Sequence, residues 1–148
     1  MFVRSLELTN FLSFGHDGKS FELQDLNVII GSNGSGKSNL IDAFDLLSSA
    51  PDDLRKPIRD GGGIHDWLWR GAARPALAQI KAVFAFPSGR QDLRYVLGFT
   101  EVRQQFLLTD ERIERVASNE DHDRPYFFYK FGSYSVATVP EEKQGMQP

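Results

Sequence analysis

The sequence predicts an α/β domain in which a strand, a phosphate-binding loop and a helix precede an antiparallel β lobe. Three observations predict it. Residues 27–41 run from Asn27-Val28-Ile29-Ile30 through Gly31-Ser32-Asn33-Gly34-Ser35-Gly36-Lys37-Ser38 into Asn39-Leu40-Ile41, an apolar stretch, a glycine-rich turn and a helix start. From residue 79 onward apolar residues recur with a period of two. No helical pattern interrupts that second half, which argues against a series of βαβ crossovers.

Val3, Leu6 and Leu8 sit among Arg4, Glu7 and Thr9, the approximate alternation of a half-buried strand. Asn10 to Gly15 stops it, and Asp17-Gly18-Lys19 turns the chain so that Ser20 to Leu23 pairs back as a second strand. Asn27 to Ile30 is a continuous apolar run, expected to form a strand buried on both faces of a sheet. The following helix puts Leu40, Ile41, Phe44 and Leu47 on one stripe, and Ser49-Ala50-Pro51 ends it.

Residues 51–78 form a connector. Asp52 to Asp60 has room for one or two helical turns, Gly61-Gly62-Gly63 breaks them, and Trp67 and Trp69 pin the next segment to the core. His65 and Asp66 read as solvent-facing or capping residues. Residues 79–86, 93–100, 104–108, 112–116, 126–131 and 134–139 are the expected strands of the β lobe, and Glu141 to Pro148 is a polar tail. Residues 1–140 therefore read as a single lobe, with the phosphate-loop core in 1–50.

A chain of 148 residues is long enough for one core and too short for two ordinary domains. Its net charge of −3 gives no global attraction to nucleic acid, so any DNA contact needs a local patch. The absence of cysteine excludes disulfides, thiolate metal sites and cysteine nucleophiles. No run of 18 apolar residues occurs, and the N-terminus opens as a strand and not as a signal peptide. A cytoplasmic protein without a membrane partner is the expectation.

Gly31, Gly36, Lys37 and Ser38 satisfy G-x-x-x-x-G-K-[ST] without a mismatch. Triphosphate oxygens need several backbone N–H groups at once, so the chain must curl with little side-chain bulk. The helix that follows aims its positive end at the same anion. Lys37 adds a cation for the β- and γ-phosphates, and the Ser38 hydroxyl is a ligand for Mg²⁺. ATP and Mg²⁺ are the expected cofactors.

Two stretches carry a family likeness: Ser5 to Phe14, with its Asn10-Phe11-Leu12-Ser13-Phe14, and Val28 to Ala43, with its G-x-N-G-S-G-K-S-N. Together they resemble the N-terminal half of an ABC-type ATPase head of the RecF/SMC-like subgroup, which includes bacterial AAA-family predicted ATPases. The likeness is close over residues 3–48. It implies that Asn33, Gly34, Ser35, Gly36, Lys37 and Ser38 hold the phosphates and that Ser38 meets the metal. It places Ser13 beside the nucleotide, with Gly31 and Asn39 completing the nucleotide-binding set. Many relatives carry Arg or Lys where this chain has Leu12. Phe11 and Phe14 read as core residues ahead of base-stacking ones.

Phe106-Leu107-Leu108-Thr109-Asp110-Glu111 mimics the Walker B box, in which a buried strand delivers an Asp to Mg²⁺ and a Glu to the attacking water. Thr109 interrupts the apolar run, and Arg112, Glu114 and Arg115 continue a charged alternation. Asp110 and Glu111 therefore read as a hairpin turn or strand edge in the β lobe. No Leu-Ser-Gly-Gly-like signature segment precedes them. The expectation is the ATP-binding lobe of a RecF/SMC-like ATPase, a truncated chain whose Walker B and signature elements come from elsewhere. Its partners would be a second copy or a C-terminal ATPase lobe, and alone it would hydrolyse ATP poorly. The alternative is a nucleotide-binding or protein-interaction module without hydrolysis.

Overall fold

The computed structural model describes residues 2–71, 76–85 and 92–116, together with the backbone of 127–130. Their strands form one antiparallel sheet. In chain order these are β1 (Phe2–Thr9), β2 (Lys19–Glu22), β3 (Ala78–Ala85), β4 (Leu93–Val102), β5 (Gln105–Arg115) and β6 (Phe127–Lys130). Their spatial order is β2-β1-β3-β4-β5-β6. The phosphate-loop core and the β lobe thus share a single sheet, because β1 pairs with β2 on one side and with β3 on the other.

Helix α1 (Lys37–Ser49), with the short α2 (Arg55–Asp60) and α3 (Ile64–Trp67), covers one face of that sheet. The face is set by alternation. Leu6 pairs with Ala82 and Leu8 with Ile80, and Ile80 pairs in turn with Leu97, so all of these side chains point the same way. They are fully buried against Leu40, Ala43 and Leu46 of α1. The helix stripe is therefore 40/43/46, with Phe44 and Leu47 partly buried at its flank. Ile41, expected on the stripe, is 57% exposed. With a 3.6-residue period, 40 and 46 lie about 60° to either side of 43, while 41 lies about 160° away. The small Ala43 takes the central position, where α1 lies against the sheet.

The opposite face is charged. Lys81 donates to Glu7 at 2.7 Å, and Arg94 donates to Glu114 at 3.0 Å. Arg112 Nε donates to Glu114 at 3.1 Å, and its guanidinium also pairs with Asp110. Glu114 is buried but lies between two arginines, so its charge is compensated.

Two strands expected at 104–108 and 112–116 are one. Thr109-Asp110-Glu111 is not a turn; it lies inside β5, paired to β4, with β6 beginning to pair only at Arg112. The pairing passes from Gly98↔Asp110 to Phe99↔Leu108, leaving Thr109 as the extra residue of a β-bulge. Gly98 permits this, since a Cβ there would sit 3.0 Å from both Asp110 Cβ and Thr109 Oγ1. The β4–β5 turn itself is at Arg103 and Gln104, whose φ values of 51° and 63° match a two-residue type I′ hairpin.

The apolar run Asn27 to Ile30 is not a strand. It is irregular chain outside the sheet, with Leu26 83%, Val28 78% and Ile30 90% exposed. Burial on two faces requires neighbouring strands, and the described residues supply none. The strand expected at 134–139 and the tail lie outside the described residues.

Because Leu46 is fully buried and Ile41 is not, Leu46→Ala should cost about 2–5 kcal/mol. Ile41→Ala should stay within about 0.5 kcal/mol. Urea denaturation of both variants checks the assignment, and equal losses would restore Ile41 to the stripe.

Candidate functional site

The phosphate loop, residues 31–38, joins the irregular segment to α1. Gly36 caps the helix with φ 89°, and Leu40 N–H donates to its carbonyl at 3.1 Å. Gly34 also has a left-handed φ, 80°. Ser35 N–H donates to Ser32 O at 3.2 Å, closing a turn. Gly31 lies close under Ser35: a Cβ there would meet Ser35 Oγ at 2.5 Å and displace that hydroxyl. The loop is thus a tight curl of small residues capping a 13-residue helix with no acidic residue in its first turn. That is the geometry and charge an anion needs.

Lys37 Nζ is folded back over this curl. It donates to Gly31 O at 2.7 Å and Ser32 O at 2.6 Å, with Ser35 Oγ at 3.4 Å. An ammonium has three protons, so these acceptors can satisfy it while it stays at the loop. Ser38, the second helical residue, is exposed, with its hydroxyl at the same end. Asn33 is exposed at the tip. The set Gly31, Asn33, Gly34, Ser35, Gly36, Lys37 and Ser38 therefore lies on one continuous curl. Its donor chemistry fits a phosphate chain and, through Ser38, a hard cation.

Ser13 and Asn39 are brought together from 26 residues apart: Asn39 Nδ2 donates to Ser13 Oγ at 2.7 Å. A Cβ on Gly36 would lie 2.9 Å from the same oxygen and 3.4 Å from the Phe14 ring. The loop after β1 therefore leans on the phosphate loop. Phe11 is fully buried, edge-on to Trp67 and Phe99, and Phe14 packs edge-on against Phe21. Trp67 is buried as the anchor of its segment. His65 is largely exposed, and its Nδ1 lies 3.2 Å from Glu101 Oε2, a partner the sequence did not suggest.

Asp110 and Glu111 sit on β5. Asp110 pairs with Arg112, and Glu111 accepts from the Tyr95 hydroxyl at 2.8 Å. Glu111 also edges an apolar groove of about 560 Å³ lined by Val3, Phe44, Leu47, Phe84 and Ile113. That groove lies towards the C-terminal end of α1. Thirteen residues of helix span ~20 Å, so the groove is well removed from the phosphate loop.

A curl of glycines on a helix N-terminus, carrying Lys and Ser and framed by an antiparallel sheet, defines the nucleotide-binding lobe of a P-loop ATPase. The comparisons place it more closely. The chain belongs to the family described as "AAA domain, putative AbiEii toxin, Type IV TA system", which matches residues 26–145. It is similar to the "DNA double-strand break repair Rad50 ATPase" of Sulfurisphaera tokodaii, 41% identical over 75 residues. That match covers 50% of this chain and 8% of that protein. It is also similar to the "DNA replication and repair protein RecF" of Bacillus subtilis, 44% identical over 50 residues, covering 34% of this chain and 13% of that protein. A solved structure described as "Structural biochemistry of ATP-driven dimerization and DNA stimulated activation of SMC ATPases" shares the fold. Its TM-score is 0.50 at 23% identity, over 72% of each chain. The chain is thus an AAA-domain family member with the fold of an SMC ATPase head and local similarity to Rad50 and RecF, and it spans a small part of the curated relatives it matches.

On α1, burial first and the charge of Asp45 second push the Asp42 carboxyl above its ordinary value of 3.8. Ionised Asp42 therefore costs folded-state stability. The cost is absent well below 3.8, where the group is protonated folded or unfolded; it grows as pH rises from 3.8 to the raised value and is constant above that. Asp42→Asn should raise Tm at pH 7, and the gain should fade on acidification. A gain independent of pH would contradict this account.

Proposed function

We propose that residues 31–38 bind Mg-ATP, and that hydrolysis is performed only when a second lobe lies beside residues 26–30. The observation that carries the reading is the exposed apolar run Leu26 to Ile30, which leads straight into a formed phosphate loop. A stretch of that composition gains from parallel neighbours on its edges, and the described residues leave both edges without one. A lobe docked there would bring its strand ends to the phosphate loop, where ligands gather in open α/β sheets. Ser38 would be one ligand of Mg²⁺, which would supply charge neutralisation at the phosphates.

The neighbouring lobe is proposed to carry the water-positioning carboxylate, since Asp110 and Glu111 are engaged with Arg112 and Tyr95 on an antiparallel strand. It would be a C-terminal ATPase segment, and the complete heads would dimerise around ATP. The repair and replication names of the relatives, and the dimerisation and DNA stimulation reported for the SMC ATPase, support a cytoplasmic role tied to DNA.

Titration of Mg-ATP by calorimetry tests the binding claim. Lys37→Ala should weaken affinity by about 1.5–3 kcal/mol, the scale of hydrogen bonds to a charged group. Glu111→Gln should leave affinity and any residual turnover unchanged. Equal affinity for the wild type and Lys37→Ala would overturn the site. Loss of turnover in Glu111→Gln would return that residue to the catalytic role.

A further inference from the structure

From the Asn39–Ser13 contact we infer that Asn39 is a positioning residue: it latches the phosphate loop to residues 10–15 and, through them, to the tryptophan segment. This rests on the nucleotide reading above. The latch begins with the 2.7 Å bond from Asn39 Nδ2 to Ser13 Oγ. Among the described residues it is the one side-chain hydrogen bond that joins the first turn of α1 to another element. Lys37, in the same turn, bonds only within its own loop. The segment before the loop is outside the sheet, so the latch has little competition in fixing where the curl sits.

The receiving loop is built to hold still. Asn10 N–H donates to Gly15 O at 3.0 Å, while Phe11 and Phe14 exchange backbone bonds of 3.0 and 2.8 Å. Asn10 and Leu12 occupy left-handed φ values of 51° and 48°, uncommon for side-chain-bearing residues and sustained where surroundings over-determine them. Those surroundings are visible. Phe11 is sealed in the core, Leu12 N–H donates to Trp67 O, and Trp69 N–H donates to Asn10 O, both at 3.0 Å. A continuous path of bonds therefore runs from the first turn of α1 through residues 10–15 to Trp67 and Trp69. A cavity of about 340 Å³ opens along it, between Ser13, Asn39, Trp69 and Arg70. The Ser13 hydroxyl accepts from Asn39, which aims its own proton elsewhere, and Gly36 provides the room for this approach.

With the amide of Asn39 committed to Ser13, its part in ligand binding is to hold the curl in place. Losing either partner should loosen the curl for any phosphate chain, whatever base it carries. Measure Kd by calorimetry for Mg-ATP and for Mg-tripolyphosphate in wild type, Asn39→Ala, Ser13→Ala, the double variant and Ser13→Thr. Each single alanine should raise both Kd values about tenfold, the double variant should be no worse than either single, and Ser13→Thr should bind like wild type. The Tm of the ligand-free variants should stay close to wild type, which separates the latch from a general loss of fold. In the wild type, tripolyphosphate should change tryptophan emission, and in Asn39→Ala at saturating ligand it should not. Additive single effects, or weakening by Ser13→Ala alone, would overturn the latch and make Ser13 a direct ligand contact. If Lys37→Ala also binds like wild type, the nucleotide reading fails and not the latch alone.

Discussion

A phosphate loop has to be held from both sides, and here only one side is held by the described residues. Downstream, α1 is seated by Leu40, Ala43 and Leu46 on a sheet face made of Leu6, Leu8, Ile80 and Leu97. Upstream, Leu26 to Ile30 reach the loop as irregular chain outside the sheet, with apolar side chains in water. A backbone with unpaired edges and exposed β-branched residues is a template for strand pairing. That single deficit links the fold to the function. It leaves the phosphate loop formed at its helix end, and under the proposed function a partner strand would dock at the point where catalysis needs further groups.

The rest of the molecule tolerates the deficit because its core lies elsewhere. The sheet is held by antiparallel pairings from β2 to β6, and its charged face is internally paired through Glu7–Lys81 and the Arg94–Glu114–Arg112 chain. Around α2, Arg59 is the main cause that holds the Asp53 carboxyl below its ordinary value. Asp53 also accepts from Arg55 N–H at 3.1 Å. The lobe thus presents a phosphate loop on one end of α1 and an apolar groove towards the other.

Much of this was legible in the sequence. The glycine, lysine and serine spacing is local, so its geometry followed from short-range sterics. The period of two after residue 79 located β3, β4 and β6 to within a few residues. Four features were not legible, each because it depends on residues far apart. Burial of Val28 and Ile30 was inferred from composition, yet an apolar run is buried only where neighbours exist. The helix stripe was read as Leu40, Ile41, Phe44 and Leu47 because the larger apolar residues defined it, whereas the sheet face buries Leu40, Ala43 and Leu46. Thr109-Asp110-Glu111 broke the alternation and read as a turn or edge, but the break is a bulge that only Gly98 on the facing strand explains. The Ser13–Asn39 bond spans 26 positions, and no spacing rule would have found it.

The central claim is that residues 28–30 lie outside the sheet and take a neighbouring strand only from a second lobe. Amide hydrogen exchange on a verified monomer tests it most directly. The account predicts that Val28, Ile29 and Ile30 exchange at nearly unprotected rates while Leu6, Leu8, Ile80 and Leu97 are strongly protected. Core-level protection of residues 28–30 in that monomer would contradict it, because it would mean that the chain already supplies the neighbouring strand.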